Sequence, residues 1–147
     1  MSYAHDMPSD AHALASELRR TVIMAARRIR AERGSADLSD PQYSVLVHLE
    51  KRGPLTPGQL ADLERIQPPS MTRTVNCLAE AGLVAKDAHP TDGRVVVVSL
   101  TDAGRTEVTE TRRKRSAWLE AQLEAMTPDE RRRLDEATEL LRRIAEA

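Results

Sequence analysis

Aromatic residues are nearly missing from this 147-residue chain: Tyr3, Tyr43 and Trp118 are all it has, and phenylalanine is absent. A site that works by stacked rings, such as a flavin or nucleobase cradle, has almost nothing to be built from. The core must be aliphatic. Cysteine is scarcer still, because Cys77 stands alone, which excludes an intrachain disulfide and a cross-linked secreted scaffold. No run approaches the roughly 18 apolar residues that a membrane span needs. The first 18 residues hold neither Lys nor Arg nor an apolar stretch, so no signal peptide is expected and the chain reads as cytoplasmic. Net charge is −1, so the basic excess that would announce a nucleic-acid binder is lacking too. Only a local patch can decide that question.

Apolar residues at 40% and charged residues at 31% fit a folded, helix-rich chain of one domain rather than a disordered one. Of the 22 basic residues only Lys51, Lys86 and Lys114 are lysine. No repeat in the range of about 20–50 residues is visible. After ten polar residues expected to fray, Leu14, Leu18, Val22, Ala25 or Ala26, and Ile29 recur at spacings of three and four. They predict an amphipathic helix from Ala11 to about Arg33, stopped by Gly34. Three capping boxes follow: Ser39 with Gln42, Thr56 with Gln59, and Thr127 with Glu130, with Pro57 and Pro128 at first helical positions. They open a helix carrying Tyr43, Val45, Leu46 and Leu49 up to Gly53, a short one burying Leu60 and Leu63, and a last one with Leu134, Leu140, Leu141 and Ile144. Another helix runs from Pro68–Pro69 to Ala81 with Gly82 as its left-handed cap. Thr101 caps a long polar helix reaching about Ala125.

The only β signal is Leu83–Ala88 and Arg94–Leu100 around His89-Pro90-Thr91-Asp92-Gly93, where Asp-Gly is a hairpin-turn signature and Val95–Val98 favours a strand. Two short helices joined by a tight link and followed by a hairpin outline a winged helix-turn-helix. On the helix from Pro69 to Ala81, Met71, Val75 and Leu78 share the core face. Pro69, Arg73, Asn76 and Glu80 oppose them, with Ser70, Thr72 and Cys77 on the flanks. Ser70, Thr72, Arg73 and Asn76 are side chains that reach phosphates and base edges: Arg to guanine O6/N7, Asn to adenine N6/N7. Free N–H groups at the helix start are a natural phosphate site. A plain solvated face is the alternative, and Glu80 speaks for it. The hairpin tip speaks against it: Asp92, two residues from Arg94, can hold the guanidinium in one rotamer for a narrow minor groove. Further positive charge sits at Arg27, Arg28, Arg30 and Arg33.

Other chemistry is poorly represented. His5, His12, His48 and His89 make no metal-ligand spacing, and no nucleophile–base–orienter set, phosphate loop or paired carboxylates can be read, so no metal, cofactor or enzymatic activity is expected. A redox-responsive regulator acting through Cys77 is an alternative, set against an inert, half-buried thiol. A helical protein-interaction module is another, built on Arg112–Arg115 or Arg131–Arg133. Such runs ordinarily form solvated faces with i,i+4 pairs, here Glu110–Lys114 and Glu139–Arg143. Tyr43, His48 and Trp118 are pocket candidates that core packing would explain equally well, and the effector site stays unassigned.

Over about residues 38–105 the chain resembles the MarR family of bacterial transcription regulators. The resemblance is carried by Leu38-Ser39, Gln42, Leu46, Leu49, Leu55-Thr56-Pro57, Leu60-Ala61, Ser70-Met71-Thr72-Arg73, Leu78, Gly82-Leu83-Val84, Pro90-Thr91-Asp92-Gly93-Arg94, Val98, Leu100-Thr101 and Gly104. It implies a mainly α fold with a small β-hairpin wing, a winged helix-turn-helix flanked by long dimerisation helices. Residues 1–36 would form the N-terminal dimerisation helix, 37–100 the DNA-binding domain, and 101–147 the helices completing the dimerisation region. The implied protein is a homodimeric, ligand-responsive repressor of a pseudo-palindromic operator in double-stranded DNA, sensing a small phenolic or lipophilic molecule. The implied DNA-contacting set is Ser39, Thr56, Pro68, Pro69, Ser70, Thr72, Arg73, Asn76, Asp92 and Arg94. Two features depart from the family: two prolines open the recognition helix and remove N–H donors, and Ala85-Lys86 stands where arginine is common.

Overall fold

The computed structural model describes residues 7–147; Tyr3 and His5 lie outside them. Helix α1 (Met7–Arg30) is followed by α2 (Asp40–Arg52), α3 (Pro57–Glu64) and α4 (Pro68–Glu80). The hairpin β1 (Val84–Ala88) and β2 (Val96–Leu100) comes next, then α5 (Asp102–Glu124) and α6 (Pro128–Ala145). The three expected capping boxes are all formed. Thr56 shows the pattern: its Oγ1 accepts from Gln59 N at 3.1 Å, while Gln59 Oε1 accepts from Thr56 N at 2.9 Å. At α6 the hydrogen bond from the Thr127 backbone, with that of its side chain, holds the Glu130 carboxyl below its usual value. That support of α6 is present at neutral pH and lost as the pH falls through the lowered value.

The core is one aliphatic cluster confined to residues 38–108. Val45, Leu46, Leu49, Leu60, Met71, Val75, Leu78, Val98 and Val108 are all at most 2% exposed. Each such side chain contributes roughly 1.5–3 kcal/mol of burial. Leu63 is only half-buried, since the short α3 turns it to the rim. The hairpin pairs Val84 with Leu100 through to Ala88 with Val96. A third rung comes from Leu55 in the α2–α3 link, whose amide donates to Val98 O at 3.0 Å and whose carbonyl accepts from Val98 N at 2.7 Å.

Several boundaries differ from the expectation, each for a tertiary reason. Helix α1 already includes 7–10, and it stops at Arg30 rather than Arg33. There the Arg115 side chain holds the carbonyls at and just past its end, donating from Nη2 to Arg30 O at 3.4 Å and from Nε to Glu32 O at 3.1 Å. Gly34 is not a left-handed stop. It is buried against α5, where a Cβ would sit 2.2 Å from Glu107 Oε1. Glu107, 4% exposed on a helix that reads as polar, accepts from Ala36 N at 3.2 Å and pins the α1–α2 link. Gly53 and Gly82 do take positive φ, at 78° and 76°. Asp92-Gly93 does not form a two-residue turn, since Gly93 lacks the positive φ of that turn and a seven-residue loop spans 89–95. On the outer helices Lys114 pairs with Glu110 at 3.3 Å as expected, but Glu139 pairs with Arg142 rather than Arg143. Among the described residues no helix is long and apolar enough to cross a membrane.

Gly104 joins hairpin to α5. Thr101 caps α5 by accepting from Gly104 N at 3.1 Å and donates its hydroxyl to Gly82 O at 2.7 Å, while its amide donates to Leu83 O at 3.1 Å. A Cβ on Gly104 would lie 2.1 Å from that backbone oxygen. Gly104→Ala is therefore expected to lower the unfolding free energy by about 3 kcal/mol in urea denaturation. Gly58→Ala, whose Cβ meets only Thr56 Oγ1 at 3.8 Å on α3, should instead stabilise by about 0.5–1 kcal/mol.

Candidate nucleic-acid interface

The α3–α4 link is short because Arg65 adopts a left-handed conformation (φ 54°), letting Ile66 N donate back to Ala61 O at 3.1 Å. The pair is anchored to α2 from the side. Glu64, the last residue of α3, accepts from the Ser44 hydroxyl and meets His48 Nε2 at 2.6 Å, so His48 is a half-buried structural histidine. Helix α4 then buries Met71, Val75 and Leu78 and exposes Pro69, Ser70, Thr72, Arg73, Asn76, Cys77 and Glu80, as its periodicity predicts. Cys77 is exposed, not half-buried, because it lies beyond the edge of the face that meets the core.

The first turn of α4 has no backbone amide left over for a phosphate, in keeping with the donors lost at its two prolines. Pro68 and Pro69 have no N–H, and the amides of Ser70 and Met71 both bond to Gln67 O, at 3.0 and 3.2 Å. The Thr72 hydroxyl is likewise turned back, donating to Pro68 O at 3.1 Å. What α4 presents outward is Ser70, the Arg73 guanidinium and the Asn76 amide, and Lys86 on β1 donates to Asn76 Oδ1 at 2.7 Å.

The hairpin loop is organised around His89, which the sequence gives no reason to single out for this. Its backbone N–H donates to Val95 O at 2.8 Å, and its ring Nδ1 accepts from the amides of Thr91 and Asp92 at 3.2 and 3.3 Å. Asp92 Oδ1 in turn accepts from both the amide and the Nε of Arg94, each at 3.2 Å. The Arg94 side chain is nevertheless 93% exposed. A guanidinium is thus oriented through its Nε and offered to solvent, its two terminal nitrogens bonding no group among the described residues.

Ser39 and Thr56 serve first as N-caps of α2 and α3, and Ser39 belongs to the junction of α1, α2 and α5 rather than to the α3–α4 pair. At that junction the arginines of α1 and of the link after it are partly engaged. Arg28 pairs with Glu32 at 3.0 Å and lies over Trp118 at 4.2 Å, and Arg33 pairs with Asp37 at 3.4 Å. Arg30, Tyr43, Val47, Glu64 and Arg115 wall an open cleft of about 450 Å³, with the Arg115 guanidinium over the Tyr43 ring at 4.5 Å. Of the pocket candidates only Tyr43 lines it. Among the described residues no three His, Cys, Asp or Glu side chains gather as metal ligands.

The MarR family model matches residues 38–96, the stretch that holds most of the core, the helix pair and the hairpin loop. Over 135 residues, 92% of this chain and 94% of that protein, the sequence is 41% identical to an HTH-type transcriptional regulator of Mycobacterium leprae. The chain belongs to the MarR family of transcriptional regulators. It is 30% identical to the transcriptional repressor MdtR of Bacillus subtilis over 71% of this chain and 68% of that protein. A transcriptional regulator from Pseudomonas aeruginosa has the same fold, with a TM-score of 0.80 at 31% identity over 94% of this chain and 97% of that one. As a MarR-family regulator the protein is no enzyme.

In this MarR-family chain Glu64 ties the helix pair to α2. Glu64→Ala leaves a hydroxyl and an imidazole on α2 without their partner and is expected to cost about 1–3 kcal/mol in urea denaturation. Asp62→Ala, on the exposed side of the same helix, should change stability by less than about 0.5 kcal/mol.

Proposed function

We propose that this MarR-family regulator is a homodimeric repressor, working in the cytoplasm, that binds a pseudo-palindromic operator and is released by a small ligand. In this reading 37–100 is the DNA-binding unit, and 1–36 with 101–147 form the dimerisation region. Helix α4 lies in the major groove, with Ser70, Thr72, Arg73 and Asn76 toward bases and phosphates and Pro68 and Pro69 fixing its entry. Ser39 and Thr56 contact backbone phosphate through hydroxyl protons that capping does not use. Arg94, steadied by Asp92, enters the flanking minor groove.

The observation that carries the reading is the wing tip. An exposed Asp–Arg pair contributes almost nothing to stability. A guanidinium pre-oriented by its own neighbour, yet 93% exposed, loses little further entropy on entering a narrow groove. The repressor role is supported by the likeness to MdtR.

Dimerisation is supported by apolar surface that one chain leaves uncovered. Helix α6 has no buried residue, and Leu134, Leu140, Leu141 and Ile144 are 39–62% exposed. Leu14, Val22, Ile23 and Met24 of α1 are 43–68% exposed. Two helices whose apolar stripes stay largely uncovered among the described residues fit a second copy burying the same stripes across a two-fold axis. The cleft beside Tyr43 is the candidate effector site. Its charged lining, two guanidinium groups with Asp40 and Glu64 around a single ring, suits a small phenolic molecule better than a lipophilic one, and its position, where α1 and α5 meet α2, would let occupancy shift one half-site relative to the other.

Light scattering at micromolar concentration should return twice the 16.3 kDa chain mass, and a monomer there sinks the dimer. Fluorescence anisotropy should show the protein binding the intergenic DNA beside its own gene at least about a hundredfold tighter than a scrambled duplex at equal salt. On the native duplex, Arg94→Ala should weaken binding and reduce the slope of log K against log salt by about one. Wild-type affinity and slope in that variant remove the wing contact.

A further inference from the structure

The outward face of α4 carries one contact that its own sequence does not announce. Lys86 reaches from β1, ten residues away, and donates from Nζ to Asn76 Oδ1 at 2.7 Å, with both residues exposed. Among the described residues Lys86 makes no ion pair, although Glu80 and Asp87 are close in sequence. An exposed contact of this kind adds little to stability. Its consequence is for what the amide can recognise.

A primary amide fits adenine by using both of its ends: the oxygen accepts from the N6 amino group and the NH2 donates to N7. In this chain the oxygen is already taken by an ammonium. Bringing adenine's amino group to it would set a donor against a positively charged donor. The oxygen keeps a second lone pair, but beside it the pair shows outward a cluster of donors, the Asn76 NH2 and the remaining Nζ hydrogens. Guanine's major-groove edge is the complement, because O6 and N7 are both acceptors. The ammonium also strengthens the match, since hydrogen bonds from charged donors are the stronger ones.

We propose that Lys86 sets the base preference of Asn76, so that the Asn76–Lys86 pair reads guanine rather than adenine at one position of each half-site. This rests on the reading that α4 enters the major groove. Lys86 is thereby a specificity-determining residue lying outside the recognition helix, and Asn76 is not the adenine reader that its residue type predicts.

The test is selection from a randomised duplex pool by the full-length dimer, read by sequencing, for wild type, Asn76→Ala and Lys86→Met. Both side chains are exposed, so neither change touches the core. Wild type is expected to select guanine at one symmetric position in each half-site, and Asn76→Ala to lose the preference there alone. Lys86→Met should free the amide oxygen and move the preference toward adenine, changing the guanine-to-adenine affinity ratio by about fivefold to a hundredfold. Retention of guanine by Lys86→Met overturns the proposal. So does a wild-type preference for adenine at the position that Asn76→Ala erases, or an unchanged profile in Asn76→Ala. If wild type enriches no sequence at all, the placement of α4 in the groove fails and takes this proposal with it, a result distinct from the others.

Discussion

The two backbone hydrogen bonds between Val98 and Leu55 tie the hairpin to the α2–α3 link. A two-stranded hairpin on its own is marginal in water. Pairing Val98 with Leu55 on one side and with Lys86 across the hairpin makes a small third rung, and the fully buried Val98 side chain roots it in the core. The α2–α3 link and the wing are thereby tied at one residue. That tie, together with the direct packing of α4 on β1, sets the α4 face and the hairpin in one unit.

Around this tie the chain divides its apolar residues unequally. Residues 38–108 use most of theirs in a closed aliphatic core, whereas α1 and α6 leave most of theirs exposed. Polar groups make the joints between the two parts. Buried Glu107 holds the Ala36 amide, Arg112 pairs with Glu50 at 2.6 Å, and Arg115 spans the end of α1 and the Tyr43 ring. A joint of directional contacts beside an open cleft can be rearranged by a small molecule at far lower cost than an apolar core, which supports the proposed ligand response.

Much of this was legible because it is local. A capping box involves residues three apart, so Ser39, Thr56 and Thr127 announce their helices without help from the rest of the chain. The 3.6-residue period places Met71, Val75 and Leu78 inside and Arg73 and Asn76 outside with equal security. The Asp92–Arg94 pair is two residues wide and was legible for the same reason. Gly34 and Gly104 were not. The sequence shows only that no side chain is present, and the neighbour that requires this, Glu107 in one case and the Leu83 carbonyl in the other, arrives from a distant segment. The Asp92-Gly93 signature misled because His89 closes a wider loop around it.

The sequence by itself determined the helices, their caps, the core face of each and the identity of the side chains at the wing tip, since these follow from spacing along one chain. Only the tertiary structure decided how those side chains are used. It turned the Thr72 hydroxyl back onto the Pro68 carbonyl, tied the Ser70 and Met71 amides to Gln67 O, exposed Cys77 and joined Lys86 to Asn76. A residue type fixes which hydrogen bonds are available; which of them are already spent depends on groups that only the fold brings within about 3 Å.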